Sequence, residues 1–425
     1  MFYINFLVFF VFLKIFNCEE TKHNKKSFNE TLLKWAKKKN IIFSNKINLN
    51  YTSNNYKTFY ANDDISENET ILEIPIESTL TIDLLEKYAP KFLLDIYSDM
   101  KNQSSPSNNI FRKQMVKEQV FISLNLDYAL SHKKKSKLYK LYKPYIQTFE
   151  NNFDYYPLLY GDDELSLIRP TNFGAKVFNA KISIFDEIEY IQKNYSYDSL
   201  INDEYIKYRI MSVSKCYHFM GTSAIIPFAD FFPLEMNQNL YNVFWTFDNN
   251  TNTFLIKSNK IIKNGEILFM KCLNIPNSRL LMYYGLTFEN NEYIDPFLLK
   301  YLHNKLKKEI KIKDYILNPE IDDFDLAKQS FIGDTMDTYR NLGSYFDLPN
   351  NDDTGYILML KNLKYYLEDY NKVSDSDYYK KIILDTNRIN IKRIVDLEKF
   401  LLQNRIRLLQ EIVDDRMKNK KKTDL

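Results

Sequence analysis

Glycine is scarce. Only 8 of 425 residues are glycine, and neither GxxxxGK nor GxGxxG occurs. Loops that cradle phosphate need glycine, because backbone must approach the ligand closely and take positive φ. Phosphate-loop and dinucleotide-binding chemistry is therefore excluded. Cysteine is almost as rare: Cys18 lies near the N-terminus, and only Cys216 and Cys272 follow. Two cysteines make no disulfide framework, although they leave room for one bridge in an oxidising lumen. The four histidines, His23, His132, His218 and His303, do not cluster with cysteine at zinc spacing, so no metal site is indicated. An excess of one charge is missing too. Lys and Arg number 58 against 55 Asp and Glu, a net +3 that creates no basic field for nucleic acid.

Long apolar runs are absent after the first twenty residues. The N-terminus reads "MFYINFLVFFVFLKIFNCEE", with an apolar run from Phe2 to Phe16 broken by Asn5 and Lys14. That is short for a membrane span and suits a signal-peptide core, with residues 1–18 removed near Cys18. The competing reading is a signal anchor that stays attached. The signal reading places the chain on the secretory route, in the ER lumen or secreted, or in an organelle reached by that route. It leaves no stable membrane span after cleavage. N-x-[ST] sequons at Asn29, Asn68, Asn102 and Asn194 carry little weight in so Asn-rich a chain.

What is present is ample. The chain is 45% hydrophobic and 27% charged, enough for two or three domains. Tyr (33) and Phe (31) abound alongside Asn and Lys, a bias typical of AT-rich genomes, so the aromatic count decides little. Around residues 28–42, "FNETLLKWAKKKNII" predicts a helix capped by Asn29, with Leu32, Leu33 and Trp35 on its apolar side. "KTFYANDDISENETILEIPIESTLTI" predicts two strands and a turn, with Leu72, Ile74 and Ile76 alternating against Glu73, Pro75 and Glu77. From about Leu84 to Met220 the pattern is mostly helical, with Met115, Ile122, Leu126 and Ala129 on one face. The run "HKKKSK" at 132–137 reads as a solvated loop.

Strand character returns in "SAIIPFADFF", "NVFWTFD", "NTFLIKSN" and "EILFMKC". Lys263-Asn264-Gly265-Glu266 predicts a tight hairpin turn. After Pro296 the chain turns helical to its end, with Ile394, Leu397, Leu401, Leu408 and Ile412 on one face. The tail "RMKNKKKTDL" reads as frayed and solvated; its last four residues match an ER-retrieval signal only weakly. Trp35 and Trp245 are expected to anchor cores. Asp230 and Glu235 form a conceivable acid/base pair, but a capping or turn role is the expected one.

A β module interrupted by a helical insert and followed by an all-α region narrows the field. "ILEIPIESTLT", "IPFADFF", "KNGEILF" and "NSRLLMYYGL" together resemble SET-domain methyltransferases. The branch is the Rubisco large-subunit lysine methyltransferase type, which also includes the actin histidine methyltransferase. Pro144-Tyr145-Ile146 and Asp163-Glu164-Leu165 resemble that branch's insert motif. The resemblance covers residues 28–415. It implies an α+β fold: a SET domain of small twisted sheets split by a helical insert, followed by an all-α substrate-binding-type domain. The implied boundaries are 28–84 for the first SET part with its N-terminal helix, 85–210 for the insert and 211–289 for the second SET part. The substrate-binding-like domain then spans 290–418, and the basic tail is 419–425.

The resemblance also implies S-adenosylmethionine as cofactor and a protein lysine or histidine as acceptor. A free lysine titrates at about 10.4, so such a site must keep its acceptor neutral and aligned. Motif by motif, the expected chemistry is missing. The family's Gly-x-Gly loop falls on Tyr56, Lys57 and Thr58. Its Asn-His pair falls on Pro233 and Leu234, a residue without an N–H and one without a polar side chain. Its Ser-Arg position reads Ser214-Lys215, which keeps charge but loses the planar fork. Its catalytic tyrosine, seven residues after Gly265, falls on Cys272. Its Tyr-Gly-Phe segment reads Tyr284-Gly285-Leu286. Pro75, Pro227, Asp230, Gly265, Glu266, Leu280, Tyr284 and Gly285 retain the scaffold. In the family fold positions 216 and 272 both approach the cofactor region, so a Cys216–Cys272 bridge is conceivable; a buried inert Cys272 is the expected state.

Retained scaffold with missing chemistry implies a pseudoenzyme, a monomer that binds a protein or peptide segment. The alternative is a divergent, active S-adenosylmethionine-dependent N-methyltransferase with a rebuilt pocket.

Overall fold

The computed structural model describes residues 29–51, 57–102, 114–149, 153–195, 197, 200, 202–219, 221–289, 291, 352–382 and 388–423. The signal-peptide reading of residues 1–18 lies outside them. The chain opens with α1 over 29–38. Then come β1 Ile42–Phe43, β2 Ile47–Tyr51, β3 Lys57–Ala61, β4 Thr70–Pro75 and β5 Leu80–Thr81. Among the described residues seven helices follow: α2 Ile82–Tyr88, α3 Lys91–Asn102, α4 Gln114–Ser131, α5 Lys137–Ile146, α6 Asp162–Ile168, α7 Asn172–Tyr195 and α8 Asn202–Ser214. Strands return as β6 Cys216–Phe219, β7 Thr222–Ile225, β8 Leu234–Glu235, β9 Val243–Asp248, β10 Thr253–Ser258 and β11 Met270–Lys271. The chain closes with α9 Asn277–Tyr284, α10 Asp352–Asp375, α11 Asp377–Ile382 and α12 Ile389–Thr423. The fold is α+β.

Two compact units divide the chain: Met1–Asn151 with Ile191–Leu273, and Asn152–Tyr190 with Asn274–Leu425. The first holds every strand found among the described residues. Its six-stranded sheet runs β1-β4-β10-β9-β11-β8, beside a three-stranded sheet β5-β7-β6 and the β2-β3 pair. β10 pairs antiparallel with both β4 and β9, whereas β11 runs parallel to β8 and β9. Alternation sets the faces. Phe254, Ile256 and Ser258 of β10 are buried and the residues between them are not, as a period of two requires. Trp245 stacks on Phe254 with ring centroids 5.2 Å apart. Two helices of this unit, α2 and α5, start where hydroxyls cap them. Thr81 Oγ1 accepts the Leu84 N–H, and Ser136 Oγ accepts the Tyr139 N–H, each satisfying an orphan donor of the first turn. Lys133, Lys134 and Lys135 are exposed ahead of that second cap, as the basic loop predicts.

The described elements of the second unit are helical. Tyr160, Ile168 and Phe173 pack with Leu281, Ile391, Ile394 and Val395 in one cluster. Glu398 of α12 is buried and accepts the N–H groups of Asn172 and Phe173 at 2.8 and 3.0 Å, and the Tyr370 hydroxyl at 2.7 Å. A carboxylate from 225 residues away thus caps α7.

Several expectations need correction. Leu33 and Met115 are 40% and 42% exposed. On α1 the buried side is Leu32, Trp35 and Ala36; on α4 Val120, Phe121 and Leu124 join Ile122, Leu126 and Ala129, because that helix is packed on most sides. "SAIIPFADFF" is a strand only to Ile225, then turns through a 3-10 segment at Ala229–Phe231. The Lys263–Glu266 turn carries positive φ at Gly265 alone (+90°), as in a type II turn, not the primed hairpin turn. The segments flanking it bridge instead to β3 and its following loop, Ile267 with Tyr60 and Ile262 with Ile65. On α12 Ile394 and Leu401 are buried and Leu397 is half-buried; the side chains of Leu408 and Ile412 lie outside the described residues.

Candidate functional site

The segment from Asp230 to Glu235 is the spine on which most of the singled-out residues of the first unit meet. Asp230 sits in the 3-10 turn that follows Phe228, a non-glycine residue at φ +69°. Its Oδ2 lies 2.7 Å from Lys215 Nζ, and its Oδ1 accepts the Tyr145 hydroxyl at 3.1 Å. Lys215 follows directly on α8 and is buried, its ammonium 5.6 Å from the Phe149 ring centroid. Tyr145 is fully buried, and its ring lies parallel to Trp35 at 6.1 Å. Burial pushes the Tyr145 hydroxyl well above its ordinary range, and the adjoining Asp230 carboxylate adds to that. The phenol is therefore a permanent donor.

Phe231 faces the start of β3. The Lys57 ammonium lies 5.9 Å from its ring centroid and donates to the Thr148 carbonyl at 3.4 Å. Thr58 is buried, and Phe59 packs against Phe231 and Phe232 at 6.0 and 5.0 Å. Tyr56 lies outside the described residues. Where a glycine loop would leave backbone open, this strand places a cation and a buried hydroxyl.

Pro233 and Leu234 are used as backbone. The Pro233 carbonyl accepts the Met270 N–H at 2.9 Å, and Leu234 pairs with Met270 in the parallel β8–β11 bridge. Glu235 continues the same ladder: its carbonyl accepts the Cys272 N–H at 2.8 Å. The Glu235 carboxylate folds back to accept the N–H groups of Met236 and Asn237, both at 2.9 Å. Asp230 and Glu235 thus serve an ion pair and a turn, and form no acid/base pair.

Cys272 is 3% exposed. Burial pushes its thiol up to about 12, opposed by the Leu273 N–H and reinforced by Glu235. Cys216, at the start of β6, is likewise raised by burial. Both are free thiols, so the conceivable bridge is not formed. Neighbouring Lys271 is exposed, its ammonium 5.8 Å from the Tyr241 ring.

Tyr284 and Leu286 belong to the second unit. Tyr284 is the half-buried last residue of α9, and Gly285 closes that helix at φ +68° with its N–H on the Leu281 carbonyl. The Gly285 carbonyl accepts from Asn390 Nδ2 at 3.1 Å, which ties the half-buried Leu286 segment to α12. At the other end of α9, the Asn277 side chain clasps Phe288 through both its N–H and its carbonyl, at 3.0 and 2.8 Å.

Lys57, Lys215, Pro233, Leu234 and Cys272 therefore join one network of the first unit. Sequence reasoning named Tyr145 only as part of the insert motif, without a partner, and missed Thr148; these two complete it. Tyr145 and Thr148 supply the hydroxyl and the carbonyl that Asp230 and Lys57 meet, from 85 and 91 residues away. No local pattern signals such partners. Among the described residues no group of three or more His, Cys, Asp or Glu side chains is placed to hold a metal ion, and no helix is long and apolar enough to cross a membrane.

No protein-family model matches the chain, and no curated protein matches it. Solved structures do. The SET domain of LSMT bound to lysine and AdoHcy superposes with a TM-score of 0.59 at 14% identity, over 91% of each chain. Rubisco LSMT bound to AdoMet gives 0.60 at 14% identity, over 90% of this chain and 92% of that one. Rubisco LSMT bound to sinefungin and monomethyllysine gives 0.57 at 15% identity, over 90% and 91%. The chain has the LSMT SET fold. At such identity the likeness fixes the SET architecture and leaves the chemistry to the residues just described.

Those residues do not fit the cofactor that the resemblance implies. Leu234 offers no polar side-chain atom, the Pro233 carbonyl already accepts the Met270 N–H, Lys215 is paired with Asp230, and Cys272 holds a neutral thiol.

Proposed function

We propose that this SET-fold chain is a catalytically degenerate member of its fold that binds a protein or peptide segment. The observation that carries this reading is Cys272. At the position where the resemblance calls for tyrosine stands a buried thiol that stays protonated at neutral pH. A neutral thiol offers only a weak donor and a weak acceptor. It cannot hold a developing charge as a phenol oxygen does. The LSMT structures that share the fold were solved with AdoMet, AdoHcy, lysine or monomethyllysine. Their ligands support the competing reading, a divergent S-adenosylmethionine-dependent lysine or histidine N-methyltransferase.

The apolar run before Cys18 supports entry into the secretory route, so the partner is sought in the ER lumen or beyond.

Calorimetric titration of S-adenosylmethionine into the purified protein separates the two readings. We expect no heat of binding and no thermal stabilisation at millimolar cofactor, since only a ligand of the folded state raises its stability. Saturable binding would overturn the degenerate reading and direct the search to methyl acceptors.

A further inference from the structure

Lysine is spread unevenly over the first unit. On α1 Leu32, Trp35 and Ala36 are buried, while Lys34, Lys37 and Lys38 are exposed. On α5 Leu138, Tyr142 and Tyr145 are buried, while Lys137, Lys140 and Lys143 are exposed. The two helices lie side by side. The Trp35 indole N–H donates to the Leu141 carbonyl at 2.8 Å, and its ring meets Tyr142 edge-on at 5.6 Å. The half-buried Lys39 holds its ammonium 4.3 Å from the Tyr142 ring centroid. Their outer faces therefore adjoin. Exposed Lys133, Lys134 and Lys135 run directly into Ser136, the cap of α5, and extend the same surface.

Residues 29–39 and 132–147 thus bring ten lysines together against one carboxylate, Glu30. Among the described residues none of the nine exposed lysines enters an ion pair. The whole chain is only +3, so the remainder is net acidic and positive charge is segregated to this face. The residues of the first unit that lie outside the described ones add six Lys or Arg and four Asp or Glu, so they do not offset it. A field of this kind draws an anionic partner.

The composition of the patch says which. Every cation in it is lysine. Nucleic-acid readers rely on the planar fork of arginine to grip phosphates and base edges, whereas lysine is a point charge that needs only a negative surface. The aromatic rings of these helices are turned inward: Trp35, Tyr139, Tyr142 and Tyr145 are buried and leave no platform for a base. The large apolar side chains exposed among the lysines are Leu33 and Leu141, at 40% and 37%. A polyanion dissolved in water offers a leucine nothing. The headgroup region of a bilayer removes it from water.

We propose that α1, α5 and the lysine loop ahead of α5 form a docking surface for an anionic lipid bilayer, on which the chain lies peripherally without spanning it. Each lysine brought near such a surface raises partitioning about fivefold. Several acting together give reversible binding that one or two would not. The inference holds whether the chain is degenerate or active, because the surface uses no residue of the Asp230 network.

Co-sedimentation of the full chain with sucrose-loaded vesicles tests the docking. The chain should pellet with phosphatidylcholine vesicles containing about one third phosphatidylserine, and not with phosphatidylcholine alone. Salt at about 1 M should release it, because the Debye length then falls to about 3 Å. Two double variants, Lys34→Glu with Lys37→Glu and Lys137→Glu with Lys140→Glu, should each weaken binding about 25-fold or more. Both should keep the wild-type circular dichroism and urea midpoint. Leu33→Ser with Leu141→Ser should weaken vesicle binding and leave retention on heparin unchanged. A wild type that stays in the supernatant with anionic vesicles would overturn the proposal. Retention on heparin without vesicle binding would overturn it too, and assign the patch to a soluble polyanion. Indifference to either lysine pair would overturn a surface shared by the two helices. Vesicle binding indifferent to the leucine pair would overturn the choice of a bilayer over a dissolved polyanion.

Discussion

The Lys215 ammonium lies 2.7 Å from Asp230 Oδ2, with only 10% and 9% of the two side chains exposed. The other Asp230 oxygen takes the Tyr145 hydroxyl. Buried pairs are hard to break from one side, because the surviving charge is left without compensation. Lys215→Met should therefore lower the unfolding free energy by about 3–5 kcal/mol. Lys215→Met with Asp230→Asn should recover most of that loss, since no bare charge then remains. Urea denaturation of the two variants measures both. A single variant within about 1 kcal/mol of wild type would show that the pair is solvated, because exposed pairs contribute no more than that.

Gly285 closes α9 at φ +68°, and a Cβ there would come within 2.3 Å of the Tyr155 ring. Gly285→Ala therefore meets two penalties. Left-handed backbone costs an L residue about 1–2 kcal/mol. Displacing the ring adds to it, because overpacking forces neighbours off their rotamers. Thermal unfolding of Gly285→Ala in the wild-type and Tyr155→Ala backgrounds separates the penalties. The substitution should cost less where the ring is gone, yet still destabilise. Equal costs in both backgrounds would place Tyr155 away from the glycine.

The sheet-forming segments were legible because period-two alternation and turn residues are local signals. Leu72 and Ile74 are buried as their pattern requires, whereas Ile76 leaves the strand for a 3-10 turn and is only half-buried; "NVFWTFD" and "NTFLIKSN" pair as β9 and β10. The element order also sufficed to suggest a SET fold. The site was legible as a set of absences, at Pro233, Leu234 and Cys272, because a missing polar group can be read from a single letter. What replaced the missing groups was not legible. Lys57 reaching Thr148, Tyr145 reaching Asp230 and Glu398 capping α7 all join residues 85 or more apart. Nothing local distinguishes these partners from other lysines, tyrosines and glutamates. The strand reading of "SAIIPFADFF" failed for a related reason: an apolar run has the same composition whether it continues extended or turns, and Phe228 turns it with φ +69°.

Acid should stabilise the first unit through one buried carboxyl. Asp127 is 2% exposed and accepts the Tyr197 hydroxyl. Burial raises it from 3.8 to about 6, with Glu204 pushing further and the Tyr197 hydroxyl and His132 opposing. Between about pH 4 and 6 the folded state therefore holds a proton that the unfolded state has released. The unfolded state binds fewer protons there, so this contribution to stability falls as pH rises through that window. The whole change is on the order of 2–3 kcal/mol. Asp127→Asn removes the titration. The difference in unfolding free energy between wild type and variant should move by that amount from pH 4 to pH 7. A difference that stays flat would mean that Asp127 titrates as an ordinary carboxyl.

Cys272 should behave as an inert core atom despite its place in the fold. Burial pushes its thiol up to about 12 from 9.0, and Cys216 is raised by the same cause. The thiolate is the nucleophile, so at pH 8 the reactive fraction of Cys272 is about a thousandfold below that of an open thiol. In the folded protein both residues should resist alkylation by iodoacetamide over hours, and both should label fully in denaturant. Peptide mass mapping assigns each site and also reports any bridge, which would leave the pair unlabelled until reduced. Rapid labelling of Cys272 alone would contradict the buried, neutral thiol. It would also remove the observation on which the degenerate reading rests, because an accessible thiolate at that position is itself a reactive group.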